Sequence, residues 1–249
     1  MSRFTISGHV CSSHFYCHWL HLQYPLRRGL SSSLRFFLVI FLVFSSLTLF
    51  AQVKIGELYY NLDNAKKTAE VAYPPTNCYA FTEIDIPAEV SYDGCVYSVT
   101  AIEKCAFACS NYLMSVSSPG SVLTIGDRAF WQCSSLSSIT IPNSVKTIGE
   151  LAFYQCSSLP SIIIPNSVTS IKAWAFEGCS SLSSVTISNS VRAINRGTFH
   201  GCSALVSVTI PSSVISILEE AFFQCSSLSS VTISNSVKTI ETCAFASCN

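Results

Sequence analysis

The chain has 249 residues, a formal net charge of zero and only 11% charged residues, against 49% hydrophobic residues. Its length suits one or two ordinary domains. Because nucleic-acid binding depends on a concentration of basic residues, this composition argues against a nucleic-acid-binding protein.

The first predicted element is an uncharged apolar segment, FFLVIFLVFSSLTLF, which runs from Phe36 to Phe50. Arginines precede it and the small residue Ala51 follows, which is the arrangement of a secretory signal. We therefore expect residues 1–51 to be a leader and signal peptide, and the protein to be secreted or held at the cell surface. The alternative is an uncleaved membrane anchor, although the segment is short for a span of about 20 residues.

A cluster of cysteine and histidine residues lies ahead of this segment, between His9 and His21. Its spacing resembles a zinc knuckle. A leader removed on export would take the cluster with it. We therefore predict no metal site and no cofactor.

Residues 52–101 have the composition of a small β domain. ELYYNL (57–62) and TAEVAY (68–73) are rich in residues that favour strands. Further along, Asp93-Gly94 is the dipeptide favoured in two-residue hairpins. We expect a β cap that covers the apolar edge of the following region, with its tyrosines used for packing rather than for ligand binding.

The rest of the chain is built from one unit that recurs at a fixed period of 23. Residues 125–147 read IGDRAFWQCSSLSSITIPNSVKT and residues 148–170 read IGELAFYQCSSLPSIIIPNSVTS. A fixed period of this size indicates a stacked repeat array, here six units and the start of a seventh over residues 102–249. One phenylalanine returns in every unit, at Phe107, Phe130, Phe153, Phe176, Phe199, Phe222 and Phe245.

Each unit predicts one short strand. In LSSITI (136–141), Ser138 and Thr140 alternate with apolar residues, and Pro142 then ends the strand because it lacks the N–H that a central strand needs. The turn from Ile125 to Phe130 is too short for more than one helical turn. We therefore predict a mostly β solenoid, with a parallel sheet on one face, short helical or 3₁₀ turns on the other, and a buried phenylalanine spine.

Five cysteines share one phase of the repeat, so their side chains should point in parallel directions, which disulfide geometry does not allow. They are Cys133, Cys156, Cys179, Cys202 and Cys225. We predict a ladder of buried thiols. Cys105 and Cys243 lie too far apart in the stack to pair with each other, whereas Cys78 and Cys95 either form a disulfide or remain thiols.

The repeated pattern I-G-x-x-A-F-x-x-C-x-x-L-x-x-[IV]-x-I-P-x-x-V resembles the BspA-type leucine-rich repeat, in phase over residues 102–249. The resemblance implies a right-handed solenoid. It also implies an extracellular protein that binds other macromolecules or host surfaces.

Catalytic motifs are missing from the sequence. His200 is the only histidine outside the leader, and no G-x-S-x-G, phosphate-binding or H-E-x-x-H pattern is present. We therefore predict a binding protein, adhesin-like, rather than an enzyme. The alternative is a structural spacer or stalk that has no ligand of its own.

The surfaces of the array differ in composition. The strand face carries mainly serine and threonine, whereas the outer loops carry the aromatic and charged residues that protein-binding sites favour. We predict a partner-binding edge for a protein or extracellular-matrix ligand, formed by Arg128, Trp131, Tyr154, Trp174, His200 and Phe223. The chain stops inside a unit, at IETCAFASCN (240–249), and an uncovered edge there would favour self-association.

Overall fold

The computed structural model describes residues 52–76 and 78–248. Within these ranges the chain forms eighteen short β-strands and no helix. The apolar segment Phe36–Phe50 and the cluster between His9 and His21 lie outside the described residues. No helix that could cross a membrane occurs in the part of the chain that is described.

The first three strands pair antiparallel, and two of them lie in the segments whose composition favours strands. Strands β1 (Gln52–Ile55), β2 (Leu58–Asp63) and β3 (Thr68–Ala72) form a meander. Strands β5 (Glu89–Tyr92) and β6 (Cys95–Ile102) form the predicted hairpin, with Asp93 and Gly94 at φ values of 48° and 71°, both positive as a type I′ turn requires. Because β3 also pairs in parallel with β6, this small sheet continues into the array.

A half-coil that the sequence did not reveal precedes the array. Strand β4 (Glu83–Asp85) pairs in parallel with β7 (Ser115–Ser117), in the same register in which β7 pairs with β9 (Ser138–Ile139). Residues 78–86, CYAFTEIDI, thus correspond to residues 133–141, CSSLSSITI. The β5–β6 hairpin lengthens this unit, so that a search at the period of the array does not find it.

We number the coils 1 to 6, from residues 102–124 to residues 217–239, with one repeat unit in each. Every coil contributes to two parallel ladders rather than the single one predicted. The first ladder contains β7, β9, β11 (Ser161–Ile163), β13 (Ser184–Thr186), β15 (Ser207–Ile210) and β17 (Ser230–Ile233). It is divided into three parallel sheets, which are β4–β7–β9, β11–β13 and β15–β17. The second contains β8 (Thr124–Ile125), β10 (Thr147–Ile148), β12 (Ser170–Ile171), β14 (Ala193–Ile194), β16 (Ser216–Ile217) and β18 (Thr239–Ile240).

The second ladder was missed because its strands contain only two residues, too few to show an alternating pattern. It is continuous from β6 to β12 and resumes from β14 to β18. At the interruption, the side-chain amide of Asn195 donates to the carbonyl of Ile171. In neighbouring coils the backbone amides of Lys172 and Leu218 make the corresponding bonds.

The outer segment of each coil is a series of tight turns, not the helical or 3₁₀ turn that we predicted. In coil 2, Arg128 and Gln132 have φ values of 55° and 57°, and a left-handed residue ends any right-handed helical turn. The amides of Arg128, Phe130 and Gln132 instead donate to carbonyls of coil 3 at 2.7–2.8 Å. Residues between them, such as Ala129, close turns within their own coil.

The phenylalanine spine is formed as predicted. Successive rings from Phe107 to Phe245 are stacked, with centroids 5.1–5.5 Å apart and planes within 17° of parallel. Tyr79 extends the spine at its N-terminal end, 5.3 Å from the ring of Phe107. Its buried hydroxyl donates to the carbonyl of Ala72 at 2.9 Å. The tyrosine thus seals the apolar column with a satisfied polar group.

The thiol ladder is also confirmed. Each ladder thiol donates to the carbonyl of the spine phenylalanine 26 residues earlier, at 3.0–3.3 Å, from Cys133 to Cys248. Burial raises the pKa of Cys179 from 9.0 to about 12. Cys78 and Cys95 are thiols with different neighbours: Cys78 lies 3.6 Å from the Tyr73 hydroxyl, and Cys95 lies 3.3 Å from the Lys67 ammonium.

Replacing Phe176 with alanine should destabilise the array by about 3–5 kcal/mol, because it opens a cavity in the middle of the spine. We expect several coils to unfold together, measured by urea unfolding followed by far-ultraviolet circular dichroism. Phe176→Leu is the matched control and should lose much less. An unfolding curve of Phe176→Ala that overlays the wild-type curve would contradict the stacked-spine interpretation.

Alkaline pH should destabilise the protein through the ladder thiols. The folded state keeps the Cys179 proton up to a pKa of about 12, whereas an exposed thiol releases its proton near 9. The contribution of the thiol is therefore complete below pH 9 and is lost as pH rises toward 12, by at most about 1.4 kcal/mol per pH unit for each such thiol. Urea unfolding at increasing pH should show this loss, and Cys179→Ser should reduce its slope. An unchanged slope would show that the thiol does not titrate on unfolding.

Candidate functional site

The strand face of the array offers little for specific recognition. Its exposed positions include Ser138, Thr140, Ser161, Ser184, Thr186, Ser207, Thr209, Ser230 and Thr232, with Ile163 as the main apolar exception, 70% exposed. Short hydroxyl side chains give few contacts, and large aromatic and arginine residues dominate protein-binding energy. The outer turns are therefore the better candidate.

One outward side chain per coil follows the buried phenylalanine. In coil 2 this residue is Trp131, which lies between Phe130 and the left-handed Gln132. The turn on either side directs Phe130 into the core and leaves Trp131 half-buried at the surface. Because the coils stack in register, side chains that are one repeat period apart become neighbours. We call the resulting column the outer ladder: Trp131, Tyr154, Glu177, His200 and Phe223.

The first two residues of the outer ladder form an aromatic pair. The rings of Trp131 and Tyr154 are stacked, with centroids 5.9 Å apart and an interplanar angle of 9°. Burial raises the pKa of Tyr154, and the negative charge of Glu177 in the next coil adds to this effect. The phenol therefore stays protonated and available for hydrogen bonding at neutral pH.

A second group forms around Trp174 in coils 4 to 6. His200 stacks on Phe223, with centroids 5.2 Å apart and planes 7° from parallel. The ring of Trp174 meets His200 edge-on, at 5.6 Å and 74°. We call this group, with its charged neighbours, the Trp174 cluster: Trp174, Glu177, Arg196, His200, Glu219, Glu220 and Phe223.

The position of Trp174 depends on a glycine in the next coil. Gly197 has a φ value of 57°, and a Cβ atom built on it would lie 1.9 Å from Cε3 of Trp174. The indole ring therefore occupies the space that any other residue at this position would need. In the other coils the equivalent position holds larger residues, such as Arg128 and Leu151.

Two ion pairs connect the charged members of the cluster. Nε of Arg196 lies 3.2 Å from a carboxylate oxygen of Glu219, and the guanidinium carbon of Arg196 lies 5.4 Å from the Trp174 ring centre. Nδ1 of His200 lies 3.5 Å from a carboxylate oxygen of Glu177. Both side chains of this second pair are about three-quarters buried, with 22% and 24% exposed. The contact between His200 and Glu177 is an ion pair only when the imidazole is protonated.

Burial shifts the titratable groups of the cluster toward their neutral forms. It raises the pKa of Glu177, and the negative charge of Glu220 raises it further. Burial also lowers the pKa of His200 below 6.5, with Glu220 opposing the change. The imidazole is consequently uncharged at neutral pH.

The six residues of the predicted edge thus fall into two groups rather than one. The structure brings Trp131 together with Tyr154, and Trp174 together with His200 and Phe223. Arg128 is half-buried at a left-handed position and belongs to neither ring group. The predicted edge did not include Glu177, Glu220 or Gly197.

The repeat period of the sequence could have indicated that Glu177 and Gly197 belong to the site. Glu177 lies one period after Tyr154, and Gly197 lies one period after Trp174.

No group of residues suited to a metal ion occurs within the described parts of the chain. The chemistry that the cluster offers is therefore contact through aromatic faces, hydrogen bonds and charge.

A sequence profile of the BspA-type leucine-rich repeat region matches the chain in six copies, over residues 76–203 and 123–249. The chain therefore belongs to the BspA-type leucine-rich repeat family. No curated protein sequence matches it.

Solved structures share the fold. A leucine-rich repeat protein from Bacteroides ovatus aligns with a TM-score of 0.62 and 27% identity, covering 79% of this chain and 57% of that protein. A leucine-rich cell surface protein from Faecalibacterium prausnitzii aligns with a TM-score of 0.67 and 34% identity, covering 79% and 52%. The chain thus spans little more than half the length of these two proteins.

A leucine-rich repeat protein from T. pallidum aligns with a TM-score of 0.67 and 27% identity. The alignment covers 76% of this chain and 86% of that protein.

Replacing Gly197 with alanine should displace the Trp174 ring and destabilise the protein by about 2–4 kcal/mol. Chemical unfolding gives the stability, and near-ultraviolet circular dichroism reports the indole environment. Gly120→Ala is the control, because a Cβ there meets no atom within 4 Å. Adding Trp174→Ala to Gly197→Ala should recover part of the loss. Equal stability of Gly197→Ala and Gly120→Ala would contradict the contact.

Proposed function

We propose that the chain is a secreted or cell-surface protein that binds other macromolecules, adhesin-like, through the outer edge of its coils. The observation that carries the proposal is the concentration of half-buried aromatic and charged side chains at this edge. The stacked Trp131–Tyr154 pair and the Trp174 cluster supply the residue types that dominate binding energy at protein interfaces.

Family membership supports a binding role. Leucine-rich repeat surface proteins generally bind proteins, and the Faecalibacterium prausnitzii relative is described as a cell surface protein. The signal-like segment before the array also supports export of the protein. A protein or extracellular-matrix component is the partner that these features fit.

We infer binding rather than catalysis. Leucine-rich repeat solenoids are generally not enzymes, and the Glu177–His200 pair has no serine, threonine or cysteine nucleophile among the contacts described for it. A hydrolytic mechanism of the triad type needs such a nucleophile within hydrogen-bonding reach of the base.

The outer edge can be tested with two paired substitutions. Trp131→Ala with Tyr154→Ala removes the stacked aromatic pair, and Trp174→Ala with Phe223→Ala removes the two rings that contact His200 in the Trp174 cluster. The purified chain is assayed against a panel of purified extracellular-matrix proteins by biolayer interferometry, and against host cells by an attachment assay. We expect at least one pair to weaken saturable binding about tenfold or more.

The matched control is Ser161→Ala with Ser184→Ala on the strand face, which should bind like the wild type. Circular dichroism confirms that each variant is folded. Full attachment by both aromatic variants would favour the alternative of a spacer or stalk without its own ligand. Loss of binding in the strand-face variant alone would move the site to the opposite surface.

A further inference from the structure

The charges of the array are segregated between its turns and its strands. Residues 102–248 contain seven acidic and seven basic residues. The strand segments, of which 138–148 is typical, carry no acidic residue and three exposed basic ones, Lys146, Arg192 and Lys238. All seven acidic residues, with only four basic ones, therefore lie in the turn segments. The outer edge is consequently net negative on an array that is neutral overall.

The Trp174 cluster has the same imbalance at short range. Its charged members are three glutamates and one arginine, and Arg196 is already engaged by Glu219 at 3.2 Å. Glu177 has the neutral His200 as its neighbour at 3.5 Å. Glu220 lies in the same tight turn as Phe223, whose backbone amide donates to the Glu220 carbonyl at 3.0 Å. The carboxyl groups of Glu177 and Glu220 thus both belong to this surface, and the one arginine of the cluster pairs with Glu219 instead.

Aromatic rings adjoin this surface. His200, which contacts Glu177, is stacked on Phe223, and Trp174 meets His200 edge-on. A guanidinium group matches such a surface, because it donates paired hydrogen bonds to carboxylates through its planar fork and packs its flat face on rings. A lysine ammonium has neither the fork nor the plane.

We propose that the Trp174 cluster binds an arginine-containing basic segment of a partner protein, with Glu177 and Glu220 receiving the guanidinium beside His200 and Phe223. The inference rests on the proposed binding function of the outer edge and names the chemistry of its partner. An acidic partner would fit less well, because Arg196 would have to leave Glu219 to receive it.

The partner chemistry also predicts a pH dependence. Protonation of His200 places a positive charge among Glu177, Glu220, Arg196 and Glu219. The imidazolium then pairs with Glu177 and repels an incoming guanidinium. Affinity should therefore fall as the pH decreases through the pKa of His200, and protonation of Glu177 acts in the same direction.

The test uses a fluorescein-labelled tetra-arginine peptide and the purified full chain, followed by fluorescence anisotropy at low salt. Glu177→Gln and Glu220→Gln should each weaken binding about three- to tenfold. Glu89→Gln, which removes the same charge from an exposed position in β5, should bind like the wild type. Tetra-lysine should bind more weakly than tetra-arginine. Wild-type affinity should fall as the pH decreases below about 6.5, and His200→Gln should reduce that fall.

Three outcomes would overturn the proposal: equal binding by Glu177→Gln, Glu220→Gln and Glu89→Gln; equal binding of tetra-arginine and tetra-lysine; or tighter binding of tetra-glutamate. The comparison with the matrix-protein assay separates the two proposals. Matrix binding that depends on Trp174 and Phe223 without tetra-arginine binding overturns only the partner chemistry. Tetra-arginine binding that is lost in Glu177→Gln, with unchanged attachment of the aromatic variants, overturns only the adhesin-like function.

Discussion

Register between successive coils is the constraint on which the rest of the structure depends. Hydrogen bonds join each outer turn to the next, from the amides of Arg128, Phe130 and Gln132 to carbonyls of coil 3. This pattern requires a left-handed residue at two positions of every coil, and most are filled by residues other than glycine. Their backbone strain, about 1–2 kcal/mol each, is tolerated because the bonds and the stacked spine repeat in every coil.

The same register builds the candidate site. Residues that are one repeat period apart in sequence lie one coil apart in space, so Glu177 meets His200 and His200 meets Phe223. The candidate surface therefore forms without any long loop, from single substitutions in otherwise similar units. Each outward residue must, however, fit sterically beside its neighbours in the adjacent coils. Gly197, which has no side chain, leaves the space that the Trp174 ring occupies.

The sequence predicted those features that depend on side chains recurring at the same position of every unit. The spine at Phe130 and its equivalents, the thiol ladder and the first strand ladder all follow from periodic side chains. The two-residue strands and the left-handed turns did not, because their cause is hydrogen bonding between coils rather than a residue pattern. The half-coil at residues 78–86 was hidden by the inserted hairpin, and the division of the aromatic edge at Glu177 required the actual neighbours.

The stability of the array and the geometry of the candidate site are consequently coupled through the stack. The Trp174 cluster takes its members from coils 4, 5 and 6, so it exists only while those coils remain in register. Each coil contacts mainly its neighbours, and the stability of such an array is approximately a sum of coil and interface terms. Phe176 in the buried column immediately precedes Glu177 of the cluster in sequence. Loss of one ring contact inside the column would therefore move the carboxylate and the imidazole apart on the surface, even where most of the array stays folded.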